Sequence, residues 1–248
     1  MIHFEYFDTI DSTNNELKRR GNSSPEFTVV SAGQQTGGRG RSGHVWKSPS
    51  HDSVATSMIM YPNVPIECVP RITTAAAMAV ASAVEELYPL KTEIKWPNDI
   101  LISHKKICGI LTEMIPEKGK VKYVIVGIGV NVHQTSFPSD IKDIATSLDL
   151  ELGGRMAKRR DVTEKIWERF MVYYDLFLKT HDLSGFLDEY NDRLVNKERP
   201  VKVLDPRGAY EGISHGVDET GRLIVERDGK IIYVDAGEVS VRGFYGYV

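Results

Sequence analysis

A chain of 248 residues suits one large domain, or one large and one small. Apolar residues at 41% and charged residues at 26% exclude disordered, collagen-like and coiled-coil classes. Lys plus Arg is 31 against 34 Asp plus Glu, a formal charge of −3, so any attraction for phosphate has to be local. The two cysteines, Cys68 and Cys108, form no C-x-x-C and no Cys/His cluster, which argues against a disulfide framework or structural zinc and for a reducing compartment. The N-terminus lacks a basic-then-apolar signal, and the bland run from Thr73 to Val84 is too short to span a bilayer. A cytoplasmic protein with no membrane partner is expected.

In chain order, Phe4 to Phe7 reads as a strand, and Thr13 with Glu16 as a capping box opening a short helix to Arg20, closed by Gly21. Phe27 to Ala32 is a strand. The stretch from Gly33 to His51 is glycine-rich, aperiodic and longer than ordinary connections, which marks a functional or disordered loop. Ser53 to Tyr61 is a strand and the alanine-rich Pro70 to Leu87 a helix suited to tight packing. Thr92 to Trp96 and Ile100 to Ile102 flank a turn at Pro97-Asn98-Asp99. Ile107 to Ile115 and Val121 to Val132 form a hairpin through Glu117 to Lys120. Asp161 with Glu164 is predicted to cap a long helix to Lys179, and Ser184 to Leu194 a shorter one.

Past Pro200 the pattern changes to short strands: Val201 to Leu204, Ala209 to Ser214, Arg222 to Glu226, Ile231 to Asp235 and Val239 to Arg242. Turns at Asp205-Pro206-Arg207-Gly208, Asp218 to Gly221 and Asp228-Gly229 separate them. A small barrel from residue 198 to 248 is expected, after a first domain of residues 1 to 197. So small a barrel buries little apolar surface and leans on its neighbour.

Four segments could carry chemistry. Gly38-x-Gly40-x-x-Gly43 matches a dinucleotide fingerprint in spacing only, because His44-Val45-Trp46-Lys47-Ser48-Pro49 is no helix start and position 63 is Asn63. The P-loop spacing also fails. Arg39 and Arg41 between glycines still offer bidentate donors to an anion at close approach; the alternative is a solvated basic loop or a weak RNA-contacting patch. Lys95-Trp96-Pro97-Asn98-Asp99 sets a cation, an aromatic, an amide and a carboxylate at a strand end, or is simply a turn over a core tryptophan. Lys105-Lys106 precedes an apolar strand containing Gly109, and Gly127-Ile128-Gly129-Val130-Asn131 puts two glycines and an amide in another. Glycine inside a strand marks close approach, and a buried amide needs a partner.

The order of these segments, from Ser12-Thr13-Asn14 through Gln35, Gly38-Arg39-Gly40-Arg41, Lys95 to Asp99 and Lys106 to Leu111 to Gly127 to Val132, resembles the biotin protein ligases over the whole chain. The resemblance implies an α/β (α+β) fold: a mixed-sheet catalytic domain like that of class II aminoacyl-tRNA synthetases, with a C-terminal SH3-like β-barrel. It implies ATP-dependent formation of biotinyl-5′-AMP with release of pyrophosphate, Mg²⁺ sharing the phosphate charge, and transfer to a lysine of a biotin carboxyl carrier domain. Ser12, Thr13, Asn14 and Gln35 would then bind the biotin head, and Arg39, Gly40, Arg41, Lys106 and Gly109 its carboxylate end. Arg39, Arg41, Trp46, Lys95, Asn98, Lys106 and Asn131 would meet the nucleotide. Lys106, Asp99 and Arg41 would be catalytic; no metal-ligating set is named. Lys106 is preferred to Lys105 because the family's lysine stands three residues before its glycine.

Ser42 and His44 replace further arginines of the family's loop, which would lower phosphate affinity. The chain begins close to Ser12, leaving no room for a helix-turn-helix, so a carrier and not DNA is the expected partner; a homodimer is left open. A lipoate ligase-type transferase is the nearest rival, separated by binding tests with biotin and lipoate. A nonenzymatic nucleic-acid-binding module would need a steep salt dependence that two loop arginines and a net negative charge do not favour.

Overall fold

The computed structural model describes residues 1–46, 51–154, 157–205, 208–236 and 240–243. The expected turn residues Pro206 and Arg207, the strand start Val239, and Lys47, Ser48 and Pro49 lie outside them.

Strands β1 (His3–Ile10), β2 (Thr28–Gln35), β3 (Ser53–Met60), β4 (Glu93–Lys95), β5 (Asp99–Ile102), β6 (Lys105–Glu117) and β7 (Lys120–Asn131) build a mixed seven-stranded sheet in the order β1-β2-β3-β7-β6-β5-β4. Only β1 and β2 run parallel; the other pairs are antiparallel. One face packs on α2 (Pro70–Leu87) and α4 (Arg159–Thr180). The alanines of α2 let its backbone approach the sheet closely: Ala75, Ala76, Ala77, Ala79, Ala81 and Ala83 are all buried. Trp167 of α4 reaches through this layer and donates its indole N–H to Thr56 Oγ1 at 2.9 Å. The opposite face carries α1 (Thr13–Arg20), whose Leu17 packs with Val30, Ile59, Tyr123 and Ile125. Beyond α1 that face bears small side chains.

Three helix ends differ from the sequence expectation. Ser12, not Thr13, caps α1, accepting from the Asn15 N–H at 3.4 Å, while the Thr13 hydroxyl turns inward to Gln35 and Ser57. At α4 the cap position is Lys158, without a side-chain bond, because the helix begins ahead of Asp161. Helix α5 covers only Leu187–Arg193; Ser184 instead bonds Asp182 in a local turn, a competing use of a serine hydroxyl. A short α3 (Leu148–Glu151) lies in a stretch without periodicity and was not expected.

The C-terminal strands β8 (Arg199–Leu204), β9 (Tyr210–Val217), β10 (Leu223–Arg227), β11 (Lys230–Val234) and β12 (Ser240–Gly243) form an antiparallel sheet ordered β11-β10-β9-β8-β12. Among the described residues no ladder joins β11 to β12. Val201, Val203, Val217, Leu223, Val225 and Val234 belong to the same hydrophobic cluster as the α2–α4 layer. The Trp96 indole N–H donates to Gly221 O at 3.0 Å, and Arg71 Nε to Thr220 O at 3.1 Å. The smaller sheet therefore leans on the larger, as its size requires.

Candidate active site

Alternation along a strand turns residues two apart to one face. Register does the rest: Ala55 of β3, Gly129 of β7 and Gly109 of β6 stand side by side, with Ser57, Gly127 and Leu111 in the next row. Near-absence of side chains there makes a trough in the sheet. A Cβ at Gly127 would overlap the Asn14 amide, and one at Gly129 the Trp46 indole, so both glycines are required by what lies over them.

At one end of the trough sits a hydrogen-bonding array of hydroxyl and amide groups, bordered by the Glu113 carboxylate. Ser57 Oγ donates to Asn14 Oδ1 and lies 2.6 Å from Thr13 Oγ1, whose hydroxyl also points to Gln35 Oε1 at 3.0 Å. Gln35 Oε1 accepts from the Thr13 N–H at 2.8 Å. Asn14 Nδ2 donates to Glu113 Oε2 at 2.8 Å. Thr13, Asn14 and Ser57 are buried. Ser12, by contrast, is engaged as the helix cap.

The other end is charged. Lys106 Nζ lies 2.6 Å from Asp99 Oδ1. Lys106 stands three positions before Gly109, an odd offset that would put them on opposite faces of a regular strand. The β5–β6 register, however, steps from Ile100 opposite Cys108 to Leu101 opposite Lys106, so Ile107 is an extra residue in a bulge. The bulge returns Lys106 to the face of Gly109, whose Cβ position is 3.3 Å from Lys106 Nζ, while Ile107 and Cys108 are both buried. Lys105 is exposed. Lys95 is buried; desolvation lowers it to about 8, Asp99 opposing and the positive charges of Arg242 and Lys106 adding to the drop.

The loop spans the two ends. Its backbone folds on itself through an Arg39–Val45 bridge and the Gly40 N–H to His44 O bond at 2.7 Å. Arg39 pairs with Glu113; Arg41 Nη1 donates to Asn98 Oδ1 at 3.0 Å and Nη2 to the Ala236 carbonyl. Burial pushes Arg41 below the usual guanidinium range, Asp99 opposing. Trp46 lies across Gly129 and Gly109, with Lys106 Nζ 5.9 Å from its ring centroid. Asn98 is itself fixed by donating to Ile110 O at 3.0 Å.

Of the residues read from sequence, Thr13, Asn14, Gln35, Arg39, Gly40, Arg41, Trp46, Lys95, Asn98, Asp99, Lys106 and Gly109 converge on this trough. Asn131 lies on the same face as Gly129, but its amide donates to Thr146 O at 3.0 Å and accepts from Gln134 at 3.3 Å, bracing the segment after β7. Glu113, Lys18 and Ser57 were missed. A carboxylate inside the apolar run Ile107 to Ile115, two strand steps beyond Gly109, was the available signal for Glu113.

Residues 6–131 match the Biotin/lipoate A/B protein ligase family, and residues 198–242 the Biotin protein ligase C terminal domain. The bifunctional ligase/repressor BirA of Bacillus subtilis is 36% identical over 242 residues, spanning 96% of this chain and 74% of that protein. The biotin--[acetyl-CoA-carboxylase] ligase of Mycobacterium tuberculosis is 30% identical over 235 residues, 92% of this chain and 85% of that one. Among solved structures, the biotin protein ligase of Aquifex aeolicus in complex with biotin and ATP superposes with a TM-score of 0.85 at 29% identity, covering 98% of this chain and 100% of its own. No helix among the described residues is long and apolar enough to cross a membrane. With both matched segments laid out in the order the fold requires, the chain belongs to the biotin/lipoate A/B protein ligase family.

Proposed function

We propose that this protein is an ATP-dependent biotin protein ligase that activates biotin as biotinyl-5′-AMP and passes the acyl group to a lysine of a biotin carboxyl carrier domain. One observation carries the reading: a row of glycines and small side chains, with Trp46 laid over it, joins an array of hydroxyl and amide groups to a cluster of cations around one carboxylate. A urea ring fits the first, needing donors and acceptors without charge. A carboxylate meeting a triphosphate fits the second. Names of relatives and the biotin-specific C-terminal match support biotin over lipoate.

In the first half-reaction a biotin carboxylate oxygen attacks the α-phosphorus, a P–O bond forms, and the bond to pyrophosphate breaks. Such a step gains most from alignment and charge stabilisation. Lys106 and Arg41 bear on the reacting groups, Lys95 and Asn98 on the nucleotide, and Trp46 offers a flat face to the base. Mg²⁺, when bound with the nucleotide, would supply charge neutralisation on the phosphates. In the second, the carrier amine attacks the acyl carbon, the C–O bond of the anhydride breaks and AMP leaves. Lysine is protonated at neutral pH, with an ordinary pKa of about 10.4, so a base is needed, and Asp99 is that group.

Residues 1–197 would form the catalytic unit and 198–248 an SH3-like barrel closing its edge, in a cytoplasmic protein, a location that its two buried free cysteines support. The test is incubation with biotin, ATP and Mg²⁺, with lipoate in parallel, followed by mass spectrometry. Biotinyl-AMP and pyrophosphate are expected; lipoyl-AMP alone, or neither adenylate, overturns the reading.

A further inference from the structure

Glu113 has three partners on two other elements. Its Oε1 takes Lys18 Nζ at 2.6 Å and Arg39 Nη2, and its Oε2 takes Asn14 Nδ2 at 2.8 Å. Lys18 and Asn14 come from α1 and Arg39 from the glycine-arginine loop. A carboxylate only accepts, so Glu113 also fixes which way the Asn14 amide is turned: NH₂ toward β6, carbonyl toward Ser57. Burial alone would raise its carboxyl; bonds from Lys18 and Asn14 and the charges of Lys18 and Arg39 hold it below the usual range, charged at neutral pH.

Among the described residues the Arg39 side chain pairs with Glu113. Its side chain is 47% exposed, whereas Glu113 is 18% exposed and anchored in the sheet. The loop's two arginines are thus each held, Arg41 by Asn98 at one end and Arg39 by Glu113 at the other, with Trp46 laid over Gly129 between them. Opening it requires both to let go.

We infer, on the reading of the site given above, that Glu113 is a positioning residue whose charge holds Arg39 and the loop across the trough, and so governs how long the adenylate stays bound. Glu113 does not touch the reacting atoms. Its effect belongs to retention, not to the rate of adenylate formation.

Glu113→Gln is the informative change, because a glutamine oxygen still accepts from Asn14 while the charge facing Arg39 is gone. Biotinyl-AMP is formed on the enzyme, excess ligand is removed, and dissociation is followed alongside the single-turnover rate of adenylate formation. The expected result is dissociation roughly tenfold faster, as for loss of a charge-assisted hydrogen bond, with formation changed less than about threefold. Arg39→Ala, at an exposed side chain, gives a second arm: it too accelerates release, and the double variant releases no faster than Arg39→Ala alone. Wild-type release from Glu113→Gln, wild-type release from Arg39→Ala, or additive effects in the double variant each overturn the inference. Failure of the wild-type enzyme to form any adenylate would instead overturn the proposed function. Should Glu113→Gln not fold, the Arg39→Ala arm decides: unchanged release there refutes the staple, and faster release whose excess over wild type vanishes in high salt, where the wild-type ion pair is screened, supports it.

Discussion

Lys106 and Asp99 form an ion pair across the β5–β6 ladder, 2.6 Å apart, that exists because a bulge at Ile107 rotates the lysine back to the trough face. Asp99 also faces Lys95 and Arg41, so the carboxylate keeps cationic neighbours beyond Lys106. On the proposed reading, a phosphate or carboxylate that draws Lys106 toward itself would loosen one of these contacts and let Asp99 take a proton.

Asp99→Asn is therefore expected to form biotinyl-AMP but to transfer it slowly. A positioned general base contributes roughly 10²- to 10⁴-fold, so transfer from preformed adenylate to a carrier domain should fall at least about a hundredfold in single-turnover quench experiments. Transfer at the wild-type rate would remove Asp99 from the role of base.

Arg41→Ala removes the contacts to Asn98 and the Ala236 carbonyl together. The adenylate should then escape about ten to a hundred times faster, as expected for two lost charge-assisted bonds, and should acylate lysines of unrelated proteins. Blotting for biotin in a mixture of bystander proteins reads this directly; a clean blot with unchanged dissociation counts against the closure of the loop by Arg41.

Lys95 sets a pH signature. Its folded value of about 8 lies below the ordinary lysine value of about 10.4. Above pH 8 the free enzyme progressively loses that charge, so KM for ATP should rise from pH 8 to 9 while KM for biotin changes less. Lys95→Arg, always charged, should flatten the rise. Stability moves the other way: between the two values the unfolded chain binds the extra proton, so this residue adds stability as pH increases through that window. Lys95→Met should abolish that increment, measured as the wild-type-minus-variant difference in denaturant midpoint at pH 7.5 and 9.5.

Gly129 takes an ordinary strand conformation, so the backbone accepts alanine; what the methyl group meets is the Trp46 indole. Gly129→Ala should push the Trp46 indole out of place, since the added methyl group overlaps it, and weaken biotin and nucleotide binding at least about tenfold by calorimetry, with circular dichroism confirming the fold. Equal affinity with an intact fold would mean that the trough is not where the ligands lie.

Local rules carried much of the architecture. Pro70 to Leu87 was readable as one helix because proline at the start and unbroken helix formers leave no other choice, and the β6–β7 hairpin because Lys118 and Gly119 interrupt two apolar runs. Cap residues were less legible: Ser12, Thr13 and Glu16 offer several pairings, and the winner was decided by Gln35 and Ser57, remote in sequence. The stretch from His133 to Ser147 shows no period because it is held by single bonds, among them the Lys106 N–H to Ile144 O and Asn131 to Thr146 O. Lys106, Asp99 and Arg41 could be named through the family resemblance, but not why Lys106 shares a face with Gly109, since nothing local announces the bulge. Glu113 stayed hidden because its partners lie 74 to 99 residues away.

The smaller sheet contributes more than bulk. Its Gly221 carbonyl anchors the tryptophan just ahead of Asn98 and Asp99, and its Ala236 carbonyl receives an arginine of the loop. Deleting β8 to β12 would thus strip apolar surface from the shared core and, in the same cut, leave the loop's charged staple half-made. Spare parts of this enzyme cannot be expected to work alone: the catalytic machinery and its tail are one mechanical unit, and a severed head would be both sticky and leaky.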